Sequence, residues 1–154
     1  MKRQDTAKPV SCRKHLERLL ALSEGRTSLA YKLLPSARDF IGANTGVGGV
    51  SFRCVVGGDR SRVELFIASK DASTNESIFS ELLSHRAEIE AAFDEPLSWE
   101  RLDDSKSCRV AFRLFGGISD GEGKWRKTEY AIVDTVIRIE KALMPFLASF
   151  VSSR

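Results

Sequence analysis

The stretch RSRVELFIASKDASTNESIFSELLSHRAEIEAAFDEPLSWERL, residues 60–102, changes its hydrophobic period twice. Val63, Leu65 and Ile67 recur every second residue, the repeat of a strand that buries one face. From Ser73 onward the spacing lengthens to three or four. Ile78, Phe79, Leu82, Leu83, Ile89 and Phe93 then fall on one stripe of a single helix, and Ser73 followed by Glu76 fits a capping box at its start. Asp94, Glu95 and Pro96 form an exit turn. Beyond it Leu97, Trp99 and Arg101 share one strand face, with Glu100 on the other. Strand, helix and strand in such close succession call for a sheet with helices packed against it.

The flanking sequence repeats the pattern. Upstream, SFRCVVGG (residues 51–58) turns Phe52, Cys54 and Val56 inward, and GGDR has the chemistry of a hairpin turn. Downstream, SCRVAFRLFGG (residues 107–117) reads as the partner of PLSWERL across the polar turn DDSK. A long helix follows from about Gly123 to Phe150. Trp125, Ile132, Val136, Ile139, Leu143 and Phe150 line its core face, and Pro145 is placed to kink its last turns. Before the strands, CRKHLERLLALSEG predicts a helix with Leu16, Leu19 and Leu20 on its stripe and Gly25 as its cap. SLAYKLL adds a second apolar piece ending at Pro35, so that one or two helices precede the body. The expectation is an α+β fold: a mainly antiparallel sheet from two β-hairpin units, each followed by a helix (ββα–ββα), behind N-terminal helices. The helices near 75–93 and 124–148 should pack on one face. Residues 1–14 read as a flexible basic arm, 15–150 as one domain and 151–154 as a tail.

Composition agrees with a globular chain, 42% hydrophobic and 29% charged. No apolar run reaches membrane-span length, and the basic N-terminus has no apolar core for a signal peptide. Cytoplasm is the default compartment. Cys12, Cys54 and Cys108 lack the spacing of a disulfide framework or a zinc site, and Cys54 and Cys108 read as small buried hydrophobes. The net charge of +3 conceals an asymmetry: residues 1–38 hold nine Lys/Arg against three Asp/Glu. Such an arm suits a phosphate backbone or an acidic partner, and equally a solubilising tail.

Residues 85–102 are dense enough in charge to suggest acid–base chemistry. Helix geometry argues otherwise. Glu81 and His85, like Arg86 and Glu90, are four apart and pair along a solvated face, while nothing sets Glu88 or Glu90 opposite Glu100. His15 and His85 have no cysteine spaced to complete a metal site. GANTGVGG (residues 42–49) lacks both the Gly-Lys-Ser/Thr ending of a phosphate loop and a following helix, and reads as a tight turn or mobile loop. Glu64 with Phe66 and Glu100 with Leu102 both miss the lysine that a Glu-x-Lys nuclease strand requires.

The strand arginines are more suggestive. Arg109 and Arg113 fall opposite Val110, Phe112 and Leu114, and Arg53 and Arg62 take a comparable outer face of the first hairpin. With Arg13 and Lys14 of the arm they form a candidate nucleic-acid surface, with Phe66 and Phe115 as the aromatics available for stacking. Ion pairing with Glu64 and Glu100 explains the same arginines without a ligand.

The order of elements also carries a resemblance. RVELFI, then IFSELLSHRAEIEAAFDEPLSWERL, then CRVAFRL and a Trp-led terminal helix resembles a prokaryotic domain family of unknown function. In it, a strand of the type RVELYI precedes a helix of the type FDxLxxxKxxIExxxGxxLxWerL. Arg62 to Ile67 match the strand; Phe79, Leu82, Ile89 and Glu90 match the helix. Leu97, Trp99, Glu100, Arg101 and Leu102 match the signature beyond it, and Arg109 the arginine of the next strand. Arg86 stands where the family often has lysine and Asp94 where it tends to have glycine. The match covers roughly residues 40 to 150. Family members occur alone or as C-terminal modules behind nuclease-like or restriction-associated domains, and no catalytic residues are assigned to them. The resemblance implies an accessory role near DNA processing or defence.

Three functional classes follow. The first is a non-catalytic binding or assembly module that contacts DNA or RNA, or a protein of a nucleic-acid-processing system. The second is an interaction or homodimerisation domain using an apolar seam on the final helix. The third, a hydrolase or nuclease, requires a cleft built from Glu64, His85, Glu100 and Cys108. No cofactor and no metal is implied by the sequence.

Overall fold

The computed structural model describes residues 14–27, 29–33, 40–102 and 106–152. Its strands are β1 (Lys32–Leu33), β2 (Phe40–Asn44), β3 (Val50–Val56), β4 (Arg60–Ile67), β5 (Ser98–Arg101) and β6 (Cys108–Phe115). Helix α1 is described over residues 14–23, and α2 (Ala72–Leu83), α3 (Arg86–Phe93) and α4 (Glu122–Ser152) follow. All pairings are antiparallel, in one six-stranded sheet of order β1-β2-β3-β4-β6-β5. Among the described residues, no helix is long and apolar enough to cross a membrane.

Period-two alternation sets the faces. Phe52 pairs with Leu65, and Leu65 with Val110, so their side chains point to one inner side. There they join Cys54, Val63, Ile67, Ile78, Phe79, Leu82, Ile89, Phe93 and the α4 stripe Trp125, Ile132, Val136, Ile139, Leu143 in one core. Leu16 and Leu19 of α1 belong to the same core, and Gly25 ends that helix with φ 80. Helix α4 runs on through Pro145, on its exposed side, to Ser152.

The α+β class and the antiparallel sheet with helices stand as the sequence predicts, but the sheet has two further strands. SLAYKLL contributes β1 rather than a helix. Phe40–Asn44 forms β2, and the glycines after it make a turn. Thr45 holds that turn: its hydroxyl donates to the Val50 carbonyl (2.8 Å) and accepts from the Val47 amide (3.1 Å). Gly46 and Gly49 take φ of 98° and 78°, where a side chain would strain the backbone. The single helix expected over 73–93 is two. Ser84 turns its hydroxyl back to the Glu81 carbonyl (2.6 Å) and a new helix begins at His85. The N-cap of α2 is Asp71, not Ser73. Asp71 accepts from the Ser73 amide and from both hydroxyls, Ser73 and Thr74. Residues 103–105 of the DDSK turn, and residues 1–13 of the arm, lie outside the described residues.

Two local features constrain substitution. Asp94 ends α3 in the left-handed region, φ 76, with its amide bonded to the Glu90 carbonyl (2.8 Å). This is the position at which the family resemblance has glycine, and the backbone supplies the reason. At one end of the sheet, the β3–β4 turn and the segment after β6 interlock. The amides of Gly116, Ile118 and Ser119 donate to the carbonyls of Asp59 (2.8 Å), Gly57 (3.0 Å) and Gly58 (2.8 Å). A Cβ on Gly117 would lie 2.2 Å from the Gly57 oxygen, whereas one on Gly121 meets nothing within 4 Å.

Gly117→Ala should therefore lower stability by about 1–3 kcal/mol, measured as a shift of the urea midpoint at unchanged m, with Gly121→Ala close to wild type. Asp94→Gly should raise stability by about 1 kcal/mol in the same assay, because it removes a left-handed non-glycine residue.

Candidate nucleic-acid interface

The face turned away from the helices is set by the same registers. Arg53 pairs with Glu64, Glu64 with Ala111, Arg62 with Arg113, and Glu100 with Arg109, so all share the outer side. Lys32, Phe40, Gly42, Asn44, Ser51, Arg60, Phe66 and Phe115 fall on it as well. Among the described strand residues this face holds six cations, Lys32, Arg53, Arg60, Arg62, Arg109 and Arg113, against two carboxylates, Glu64 and Glu100.

A chain of ion pairs crosses the centre. Arg62 Nε donates to Glu64 (2.6 Å), and Arg109 reaches Glu64 (3.5 Å) and Glu100 (2.8 Å). Arg113 closes the chain on the other oxygen of Glu100 (2.8 Å). Glu64 is only 1% exposed although it sits on the outer face, because the arginines cover it. Partial burial pushes the Glu100 carboxyl up. Hydrogen bonds from Arg113, Ser98 and Arg109, with the Arg109 charge, outweigh that and hold it at about 2, against about 4.5 for a free glutamate.

Aromatic rings order the remaining arginines. The Arg53 guanidinium lies over the Phe40 ring at 4.6 Å and the Phe66 ring at 4.0 Å, and Arg60 lies over Phe115 at 5.2 Å. Phe115 is 84% exposed, the most exposed large hydrophobic side chain among the described residues.

Of the six residues predicted as nucleic-acid contacts, Arg53, Arg62, Arg109 and Arg113 come together on this face. Lys14 is exposed at the start of α1 and lines a cleft with Ile118, Asp120 and Glu122, and Arg13 lies outside the described residues. Sequence reasoning missed Lys32, Phe40 and Arg60. Arg60 was accessible by extending the β4 alternation two residues back; Lys32 and Phe40 depend on strands that carry almost no periodic signal.

The four residues of the candidate cleft do not come together. Glu64 and Glu100 share Arg109 on the outer face. Cys108 is buried on the inner face, and His85 caps α3 with its ring 4.7 Å from that of Phe146. Burial raises the thiols of Cys54, to about 12, and Cys108, which keeps both protonated at neutral pH. No group of three or more His, Cys, Asp or Glu among the described residues is arranged to hold a metal ion.

The charged stretch 85–102 acts in packing. His85 sits between Glu88 (2.8 Å) and Glu81 (3.2 Å), whose hydrogen bonds raise its pKa against the effect of desolvation. Glu90 does more than pair with Arg86: it also accepts from the Leu97 amide and the Trp99 indole, each at 2.9 Å, and so fastens β5 to α3. Three further buried polar ties escaped the sequence reading. Asn75 bridges Ser69 and the Lys106 carbonyl. Glu129 takes two hydrogen bonds from Arg18 (2.7 and 2.9 Å) and one from the Trp125 indole. Tyr31 donates to Glu140, whose pKa is raised by burial, with the Tyr31 bond opposing.

These features define an α+β domain with one apolar and one charged sheet face. The chain belongs to the family described as Domain of unknown function (DUF4268), whose pattern matches residues 14–147. A search of curated proteins finds no match.

A depressed carboxyl stabilises the fold above its unfolded value, and that contribution is lost as pH falls through the folded value. The wild type should thus lose the Glu100 contribution between about pH 4.5 and about 2. Glu100→Gln should be less stable at pH 7 by about 1 kcal/mol and show a flatter stability profile across that window, read by denaturation at a series of pH values.

Proposed function

We propose that this chain is a non-catalytic binding or assembly module that contacts nucleic acid through the outer face of its sheet, with residues 1–14 as an added basic arm. The reading extends the accessory role near DNA processing or defence that the family resemblance implies. The observation that carries it is the face itself: six cations against two carboxylates, one of them fully covered, with Phe66 and Phe115 interleaved. Counter-ion release drives such a surface onto a phosphate backbone, and exposed rings add stacking for unpaired bases. The homodimer alternative has less support, because the α4 stripe is already used in the core.

Fluorescence anisotropy with labelled single-stranded and duplex DNA and RNA tests this, over about 50 to 200 mM salt. Binding should weaken steeply with salt. Arg60→Ala and Arg113→Ala should each lower affinity several-fold and reduce the salt slope by about 1. Phe115→Ala should weaken single strands more than duplex. Absence of binding to every probe at the lowest salt would overturn the reading and leave a protein partner as the object of search.

A further inference from the structure

The sheet ends unevenly on its β5 side. Strand β6 pairs with β4 over its whole length, from Cys108 to Phe115, but β5 covers only Cys108 to Ala111. Phe112–Phe115 therefore has a strand on one side alone. The β5 register, carried on, would set Pro96 opposite Arg113. Proline has no amide to donate there, and Arg138 holds the chain before it through the Phe93 carbonyl (2.7 Å) and Glu95 (3.0 Å).

Two flanking bonds show which way the free backbone points. Gly116 donates to the Asp59 carbonyl on the β4 side (2.8 Å), and Ser107 accepts from the Leu102 amide on the β5 side (3.0 Å). Alternation along β6 then directs the backbone groups of Cys108, Val110, Phe112 and Leu114 to β4, and those of Arg113 and Phe115 to the open edge. Among the described residues, no backbone bond meets Arg113 or Phe115 from that side. Both side chains are exposed. An edge kept for water is usually blunted by lysine, proline or a bulge, whereas this one ends on a phenylalanine.

We infer that this edge is the seam of a homodimer, in which the Phe112–Phe115 segments of two copies pair antiparallel about a two-fold axis normal to the sheet, with Arg113 opposite the partner's Phe115. Chemistry singles out that register. Residues that exchange backbone bonds must both point to the shared edge, so Arg113 and Phe115 are the ones that qualify. Ala111 is taken by Ser98, and Gly117, whose amide is bonded to Asp120 (3.1 Å), belongs to the interlocked turn. Setting like on like, Arg113 on Arg113 or Phe115 on Phe115, would pair one residue of each copy and leave the other's groups unmet. Crossing them satisfies both and brings a guanidinium to a ring on either side of the axis. Leu114 then meets the partner's Leu114 on the inner side, where it already packs against the core.

The seam is the sheet edge and not the α4 stripe, and the axis keeps both charged faces open on one side. The inference does not rest on the nucleic-acid reading. So short a seam buries less than the standard interface of about 1,600 Å², so the dimer is a weak one.

Sedimentation equilibrium of the full chain from about 10 μM to about 1 mM tests this, with the dimer becoming the major species within that range. Exchange of the Arg113 and Phe115 amides with solvent should slow as concentration rises, while that of Phe112 and Leu114, bonded to β4, stays as it was. A monomer at every concentration overturns the inference and leaves the edge to an extended segment of another protein. Three variants test the register. Phe115→Pro removes an outward amide and no β4 bond, so the fold is kept and the dimer is lost. Phe115→Lys puts an ammonium opposite the partner's Arg113 and should weaken dimerisation about tenfold. Phe115→Glu puts a carboxylate there and should stay within about threefold of wild type. Circular dichroism of the Lys and Glu variants should match wild type, so these two decide the matter even where the proline variant unfolds. A dimer indifferent to Phe115→Lys, or weakened equally by Phe115→Lys and Phe115→Glu, overturns this seam. Whether the outer face binds nucleic acid is decided separately, by the anisotropy titrations.

Discussion

The sheet buries one side only. Every helix whose stripe enters the core does so from the inner face, so β3, β4 and β6 are mostly apolar inward and carry their arginines and Glu64 outward. Glu64 shows how strictly this holds. It stands between Val63 and Leu65 in sequence, is almost wholly shielded from water, and is still ion-paired because Arg62 and Arg109 lie on the same side. A buried carboxylate without such partners would cost several kcal/mol. The ion-pair chain is therefore a structural requirement first, and Lys32, Arg60 and the outward edge of Arg113 lie outside it.

The inner side depends on a different kind of join. Packing alone lets helices slide; single polar ties fix where they stop. Asn75 joins the first turn of α2 to the end of β4 and to Lys106, Glu90 holds α3 to β5, and Glu129 and Glu140 hold α4 to α1 and to the residue before β1. The Asn75–Lys106, Arg18–Glu129 and Tyr31–Glu140 bonds join residues 31, 111 and 109 apart in sequence, so they report tertiary position rather than local helix geometry. Together they place the strands whose outer residues make the charged face.

How much of this was legible follows from where the periodic signal is strong. Strands β3, β4 and β6 have an apolar residue at nearly every inward position, and their outer arginines could be placed from alternation alone. Strand β2 reads FIGAN, with a glycine outward and an alanine inward, so period two nearly vanishes there, and β1 is too short to show any. Lys32 and Phe40, which those strands place on the outer face, were therefore invisible. The break at Ser84 was hidden for the opposite reason: Leu82, Leu83 and Ile89 keep a helical spacing across it. Capping was misassigned to Ser73 because a serine before a glutamate is a local pattern, whereas Asp71 recruits Ser73 and Thr74 together. Glu90 looked like a solvated helix charge because nothing in a single helix reveals what lies across from it, and for the same reason Glu129 and Glu140 gave no signal.

The strict alternation of β4 also governs how this chain can vary. Strands β3 and β6 flank it on both sides, so its register is fixed twice. Loss of Arg62, with the register at the Gly57–Asp59 turn kept, would turn Val63 and Leu65 toward water and drive Glu64 into the core in the same step. Two faces would fail through one deletion. Length changes are consequently confined to the segments at the sheet ends, away from the interlocked turn at Gly57–Asp59, and the charged surface can evolve by substitution but not by sliding.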